Sequence, residues 1–505
     1  MKVAFIHPDL GIGGAERLVV DAAVGLQSLG HSVIIYTSRC DRTHCFEEIR
    51  DGILNVVVKG DTIVPRTIFG RFAILCAILR QLHLSLYILR YENTAYDAIF
   101  VDQLSFCIPL LRAGLDRRAP PAPANDHRRL APQRRRRKAR ILFYCHFPDK
   151  LLAIRTSLLK KLYRLPFDAI EAYSTAQADV LLVNSRFTQR IFKQEFPSID
   201  RTPSVVYPCV SDNGGRDESI EKIILQSGKR TILSVNRFER KKRLELAIRS
   251  YASLRNHTDF DKTALLISGG YDTQVPENVA YLAELQGLCD ELNVSQVTLW
   301  DLESNTAKLS TELSSKSVLF LPSVSSSARN ALLAASCCLA YTPVNEHFGI
   351  VPLEAMLMCV PVLATSSGGP LETVADGVTG WLRTPEITSW APVVHHVLFE
   401  ASNSDLKAMG VRGRNSVRKR FSRTEMATAI ERAFLSASEL ESDNGSGADQ
   451  QPAIMRTPDF RDAAWFAFLG WAVYYCKYGF AVTIPSPSEV LVGALIVLVV
   501  YYALF

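Results

Sequence analysis

KVAFIHPDLGIGGAERLVVDAAVGLQSLGHSVIIYTS, residues 2–38, decides the fold. It opens on a short apolar run, passes through a Gly-rich turn into AERLVVDAAVGLQSLG with apolar residues at helical spacing, and closes on a second apolar run. A strand, a helix and a strand joined this tightly form a βαβ unit, whose strands run parallel because the helix carries the chain back along the sheet. YDAIFVDQ, ARILFYCH and ADVLLVNS continue the series to about residue 185. A second series starts at TILSVNR (231 onward) and runs through TALLISGG, VTLW, SVLFLPS, CCLAYTPV and PVLAT. Apolar strands alternating with amphipathic helices mean sheets covered on both faces. The expected fold is therefore α/β, with two doubly wound halves in tandem. The first covers 1–207, a Gly, Asp and Ser-rich linker opening at Pro208 covers 208–229, and the second covers 230–440. A polar linker at 441–460 and a membrane-associated apolar hairpin or tail at 461–505 complete the chain.

With 505 residues the chain exceeds one typical domain, which agrees with that division. Its eleven cysteines are scattered, odd in number and without a CxxC pair, the usage of reduced thiols facing the cytosol rather than of a disulfide framework or zinc site. The amino terminus reads as a strand and lacks the apolar core of a secretory signal. The sequons at Asn256, Asn293 and Asn444 are then expected to carry no glycans. The net charge of +6 is local in origin: eight Arg or Lys stand between Arg128 and Arg140 in a basic insertion over about 117–140. Nucleic acid is not the expected partner, because no aromatics interleave to stack bases. An anionic membrane leaflet suits the insertion better.

The membrane reading rests on AAWFAFLGWAVYYCKYGFAVTI (463–484) and VLVGALIVLVVYYALF (490–505). A spanning hairpin and an interfacial or re-entrant pair both fit these lengths. FAILCAILRQLHLSLYILRY (72–91) is expected to be a helix of the first domain, with contact to a membrane surface and plain core packing both open.

In open α/β sheets ligands gather beyond the carboxyl ends of the strands. After the first strand, Gly11, Gly13 and Gly14 let the backbone approach a ligand, and the following helix offers free N–H groups to an anion; Glu16 stands where the dinucleotide fingerprint needs its third glycine. His146 follows the strand ILFYC, and Ser185 in VNSRFT reads as a helix N-cap. Arg237 and Lys242, in RFERKK, precede a helix where cations are disfavoured unless an anion joins them. Near a protein surface each could contribute up to about 4 kcal/mol to a phosphate at 4 Å. EHFGIVPLE (346–354) places Glu346 on a loop and Glu354 in the first turn of a helix opening near Pro352, a spacing suited to two polyols on either side of a diphosphate. Gly368 and Gly369 form a further flexible turn.

GGAER, YCHFPD, VNSRFT, RFERKK, EHFGIVPLE and SGGPLET, in this order, resemble glycosyltransferase family 4, a retaining group with the GT-B fold of two Rossmann-like domains facing a cleft. The resemblance covers about residues 1–437, and EHFGIVPLE is similar to the family's paired-glutamate motif. It implies that Gly13 and Gly14 serve the diphosphate and sugar, that His146 faces the reacting sugar, and that Arg237 and Lys242 clamp the diphosphate. It further implies that Glu346 contacts the donor hexose, Glu354 the ribose, and that the amides of Phe348, Gly349 and Ile350 face donor oxygens. YCHFPD and NRFERKK are most similar to members that use GDP-mannose to extend a dolichyl-diphosphate-linked oligosaccharide at the cytosolic face of the endoplasmic reticulum membrane. Those members make α-1,3 and α-1,6 linkages, and other mannosyltransferases of the same pathway are partners the resemblance allows.

No cofactor or metal is expected, because the cationic clamp already meets the charge of the leaving diphosphate. Asp259 and Asp261 form an Asp-x-Asp pair, but before a strand, the wrong end for a ligand. Other membrane-associated members of the family and a nucleotide-sugar epimerase of the same fold are the alternatives. A glycosidase would use the two glutamates but not the clamp, a dehydrogenase lacks its third glycine, and a non-catalytic scaffold would leave the cleft inert.

Overall fold

A computed structural model describes residues 1–67, 73–118, 139–152, 158–211 and 214–443. The apolar segments at 463–484 and 490–505 and nearly all of the basic insertion, 119–138, lie outside the described residues. The chain divides into two compact units.

The first unit holds β1 (Lys2–His7), β2 (Ser32–Thr37), β3 (Asn55–Val58), β4 (Ala98–Asp102), β5 (Arg140–Cys145), β6 (Val180–Val183) and β7 (Ser204–Val205), in the order β3-β2-β1-β4-β5-β6-β7. Pairing is parallel, from Lys2 opposite Ser32 to His7 opposite Thr37 on one side of β1, and from Val3 opposite Ala98 to Ile6 opposite Val101 on the other. β1 is buried from Val3 to His7, because helices cover both faces of a parallel sheet. Phe5 stacks on Phe100 at 4.6 Å and Phe100 on Tyr144 at 5.9 Å, which locks β1, β4 and β5 together.

The helix Ala73–Tyr91 is the one described helix long and apolar enough to cross a membrane. Cys76, Ile78, Leu79, Leu82, Leu84 and Ile88 are buried inside this unit. Arg80, also buried, donates to the Ser38 carbonyl at 2.9 Å. Core packing thus accounts for most of its apolar face.

The second unit holds β8 (Arg230–Val235), β9 (Thr263–Gly269), β10 (Gln296–Thr298), β11 (Val318–Pro322), β12 (Cys338–Tyr341), β13 (Val362–Thr365) and β14 (Gly380–Arg383), in the order β10-β11-β9-β8-β12-β13-β14. Two apolar layers flank it, one around Tyr251, Leu285 and Trp390, the other around Leu309, Leu332 and Met356. In each sheet the chain reverses its direction of growth at the first strand, between β1 and β4 and between β8 and β12, and in the second sheet β11 also steps back to lie between β9 and β10. Helices on either side of such a reversal diverge and leave a crevice beyond the strand ends.

β3, β7 and β14 were not evident in the sequence, being short and lying toward the sheet edges. The stretch 208–229 is more than a linker: it contains the helix Glu218–Gln226, capped by the Asp217 side chain and burying Ile220 and Ile224 in the second unit. The domain edges also differ from the expected ones. Residues 184–191 pack with the second unit, while 427–443 return to the first, where Glu431 meets His31 at 2.8 Å and Ile430 and Phe434 are buried. The helix Arg423–Asp443 runs through the residue 440 boundary without a break. The described cysteines are all free thiols.

Candidate active site

In the first unit three polar residues end three adjacent strands. His7 closes β1, Asp102 closes β4, and His146 follows β5. Asp102 is buried and uses both oxygens: Oδ2 pairs with His7 Nδ1 at 2.8 Å and Oδ1 with His146 Nε2 at 2.7 Å. His7 Nε2 faces the Asp9 carbonyl at 3.1 Å and lies 3.9 Å from Glu16 Oε1. Burial favours a neutral His7, but Asp102 and Glu16 outweigh it and raise the imidazole to about 9. Burial likewise opposes the Asp102 charge, yet His146 and His7 hold that carboxyl down at about 2.

Gly13 and Gly14 begin the helix Gly14–Ser28 as expected, with Gly13 at its N-cap. The carboxylate of Glu16 folds back over Gly13 and takes up the space a Cβ would need there. That N-terminus therefore carries an internal carboxylate beside it, which the sequence reading had not foreseen. Ser185 caps its helix, accepting from Thr188 N–H at 3.0 Å.

In the second unit, the loop after β8 meets the loop after β12 at the sheet reversal. Thr342 donates to the Lys242 carbonyl, and the Lys242 ammonium pairs with Glu346 Oε2 at 2.5 Å. Arg237, largely exposed, pairs with Glu239 at 2.9 Å. Each expected clamp cation thus has a carboxylate partner within its own unit. Glu354, in the helix Val351–Leu357, pairs through Oε1 with Arg329 at 3.2 Å, while its buried Oε2 has no partner among the described residues. Burial, and then the Glu346 charge, push the Tyr341 phenol well above its ordinary range.

The backbone turns through positive φ at three places here. Arg243 and Asn345 adopt left-handed conformations, and Gly349 has φ +83° against the Tyr341 ring. Among the described residues no acceptor meets the amides of Phe348, Gly349 and Ile350. Phe348 itself is buried, stacked on Tyr207 at 5.7 Å. The Gly368–Gly369 turn is pinned rather than flexible: Gly369 N–H donates to the Glu346 carbonyl at 2.8 Å, and a side chain at Gly368 would collide with the Glu346 backbone. These glycines hold the Glu346 loop in place.

Arg237, Lys242, Glu346, Phe348, Gly349, Ile350 and Glu354 thus lie in one unit, and Gly13, Gly14 and His146 in the other. His7, Glu16, Asp102, Thr342 and Arg329 were missed. A carboxylate ending AIFVD was visible as a strand end, but that its strand neighbours β1 was not. Asp259 pairs with Lys262 at 2.7 Å just before β9 begins, so it sits at the end of the sheet away from these groups.

Residues 12–213 match the Glycosyltransferase Family 4 model and residues 215–406 the Glycosyl transferases group 1 model. The chain is similar to the alpha-1,3/1,6-mannosyltransferase of Schizosaccharomyces pombe, 49% identical over 444 residues that cover 86% of this chain and 81% of that protein. It is also similar to the alpha-1,3/1,6-mannosyltransferase of Candida albicans, 46% identical over 464 residues covering 85% and 97%. Among solved structures it resembles sucrose-phosphate synthase from Thermosynechococcus elongatus, with TM-score 0.60, 17% identity and coverage of 88% and 99%. The Anabaena protein HepE in complex with UDP and glucose gives TM-score 0.58, 18% identity and coverage of 86% and 100%. At these identities the structural likeness is one of fold alone, the GT-B arrangement of two Rossmann-like domains.

Proposed function

The chain belongs to the alpha-1,3/1,6-mannosyltransferases of glycosyltransferase family 4, and from that premise we propose that it transfers mannose from GDP-mannose to a dolichyl-diphosphate-linked oligosaccharide. It adds the second and third mannoses with retention of configuration, at the cytosolic face of the endoplasmic reticulum. The apolar runs at 463–484 and 490–505 support membrane attachment by their composition.

The observation that carries the donor site is the Lys242–Glu346 pair at the β8–β12 reversal. Departure of GDP develops negative charge on the diphosphate. Lys242 and Arg237 supply fixed positive charge, and the amides of Phe348, Gly349 and Ile350 supply donors on a loop held in place by the Gly369 N–H. Glu346 accepts from hexose hydroxyls, and Oε2 of Glu354, which has no partner among the described residues, accepts from the ribose. With this charge in place the transfer needs no metal. His146 faces the reacting sugar in the first unit.

Purified full-length protein incubated with GDP-mannose and a synthetic lipid acceptor bearing one mannose tests the proposal, with products identified by mass. Products heavier by one and by two hexoses, formed equally with and without chelator, are expected. No added hexose overturns the substrate assignment, and loss of product with chelator overturns the metal-free mechanism. An epimerase would change the donor without any acceptor.

A further inference from the structure

The His7–Asp102–His146 network has a geometry the transfer scheme above leaves unused. Asp102 is fully buried, and each of its oxygens is committed to a different imidazole, at 2.8 and 2.7 Å. The three residues end β1, β4 and β5, adjacent strands at the point where the sheet reverses. Phe5, Phe100 and Tyr144, stacked just below, fix the spacing of those strand ends. Both nitrogens of His7 face oxygen acceptors, Asp102 Oδ2 and the Asp9 carbonyl, so satisfying both requires two protons and gives His7 a positive charge.

We infer that Asp102, backed by a cationic His7, is the positioning residue for His146: it commits the hydrogen on His146 Nε2 and fixes the plane of the ring toward the sugar. A histidine's tautomer is set by the bond its other nitrogen makes, so the carboxylate also decides what Nδ1 can offer. The charged groups facing His7 are Asp102 from β4 and Glu16 from the helix Gly14–Ser28, and those facing Asp102 are His7 and His146. Glu16 and His146 form the partly exposed ends of the network, and His7 and Asp102 its buried middle. The carboxylate is held by side chains from both neighbouring strands, so it does not swing, and the ring it orients is the only partly exposed imidazole of the pair.

The inference rests on the mannosyltransferase reading, so transfer by the parent protein is the control that separates the two. If the parent transfers no mannose, that reading fails; if it does, the variants decide this one. In full-length protein, Asp102→Asn is expected to lower kcat about tenfold or more while the KM for GDP-mannose changes less than about twofold, by analogy with loss of an orienting partner elsewhere. Because Asp102 acts through His146, Asp102→Asn in a His146→Ala background is expected to lower kcat no further. A purely structural Asp102 would give additive losses in the double variant and a raised donor KM.

His7→Gln provides an independent arm should Asp102→Asn fail to fold. Without the His7 imidazole, Asp102 Oδ2 loses the partner that holds the carboxylate against His146. A lowered kcat with the KM for GDP-mannose changed less than about twofold is expected, and no further loss in a His146→Ala background. An unchanged kcat, or additive losses in either double variant, overturns the inference.

Discussion

Lys242 and Glu346 come together because their loops leave adjacent strands, β8 and β12, at the point where the sheet reverses. The pair is mostly buried, so breaking it leaves an uncompensated carboxylate as well as removing a cation from the proposed donor site. Lys242→Ala is expected to lower kcat by about 10²-fold or more in the mannose-transfer assay, the size of loss seen when one preorganised electrostatic donor is removed. Activity equal to the parent's would place the diphosphate elsewhere. Glu171 offers a pH test at the same scale. It is buried, and burial, followed by the Asp149 charge, raises its carboxyl from 4.5 to about 7 against the N–H bonds it accepts from Asp149 and Lys150. The folded state then keeps a proton that the unfolded chain has already released. This contribution to stability is fully present below 4.5 and is lost as the pH rises through about 7. Melting temperature is expected to fall between about pH 5 and 8, and Glu171→Gln to flatten part of that slope; identical slopes would reject the assignment.

The helix Glu218–Gln226 shows how one side chain determines an element within a stretch that reads as linker. Asp217 accepts from Ser219 N–H at 3.0 Å and Ile220 N–H at 3.2 Å, while Ile220 and Ile224 enter the core of the second unit. Asp217→Ala is expected to cost about 1 kcal/mol in urea denaturation, with Asp217→Asn close to the parent. Long apolar runs made β1, β8, β9 and β11 readable, since their alternation with helices admits one topology class. The Gly, Asp and Ser cluster at 211–219 concealed the capped helix because the same residues start helices and make turns. Glu346, Arg237, Lys242 and His146 were legible as residues following strands, and Glu354 as a residue of the next helix's first turn. Asp102 and His7 were not singled out, because their chemistry exists only once β1 and β4 pair.

At the level of the molecule, the helix Arg423–Asp443 begins in the second unit and from Ala427 onward packs with the first. Phe434 is 2% exposed there, so Phe434→Ala is expected to destabilise the first unit by about 3–5 kcal/mol. Hydrogen exchange would then accelerate in β1, β2 and β4 and leave β8 to β14 unchanged; uniform acceleration would contradict this. Hydrophobic periodicity alone determined that there are two parallel α/β sheets and which residues follow their strands, because burial on both faces imposes a pattern visible in any short window. Tertiary structure alone decided which strand ends become neighbours, joining His7 to Asp102 and His146, and Lys242 to Glu346. Strand order depends on contacts between residues a hundred positions apart, and a local pattern carries no record of them.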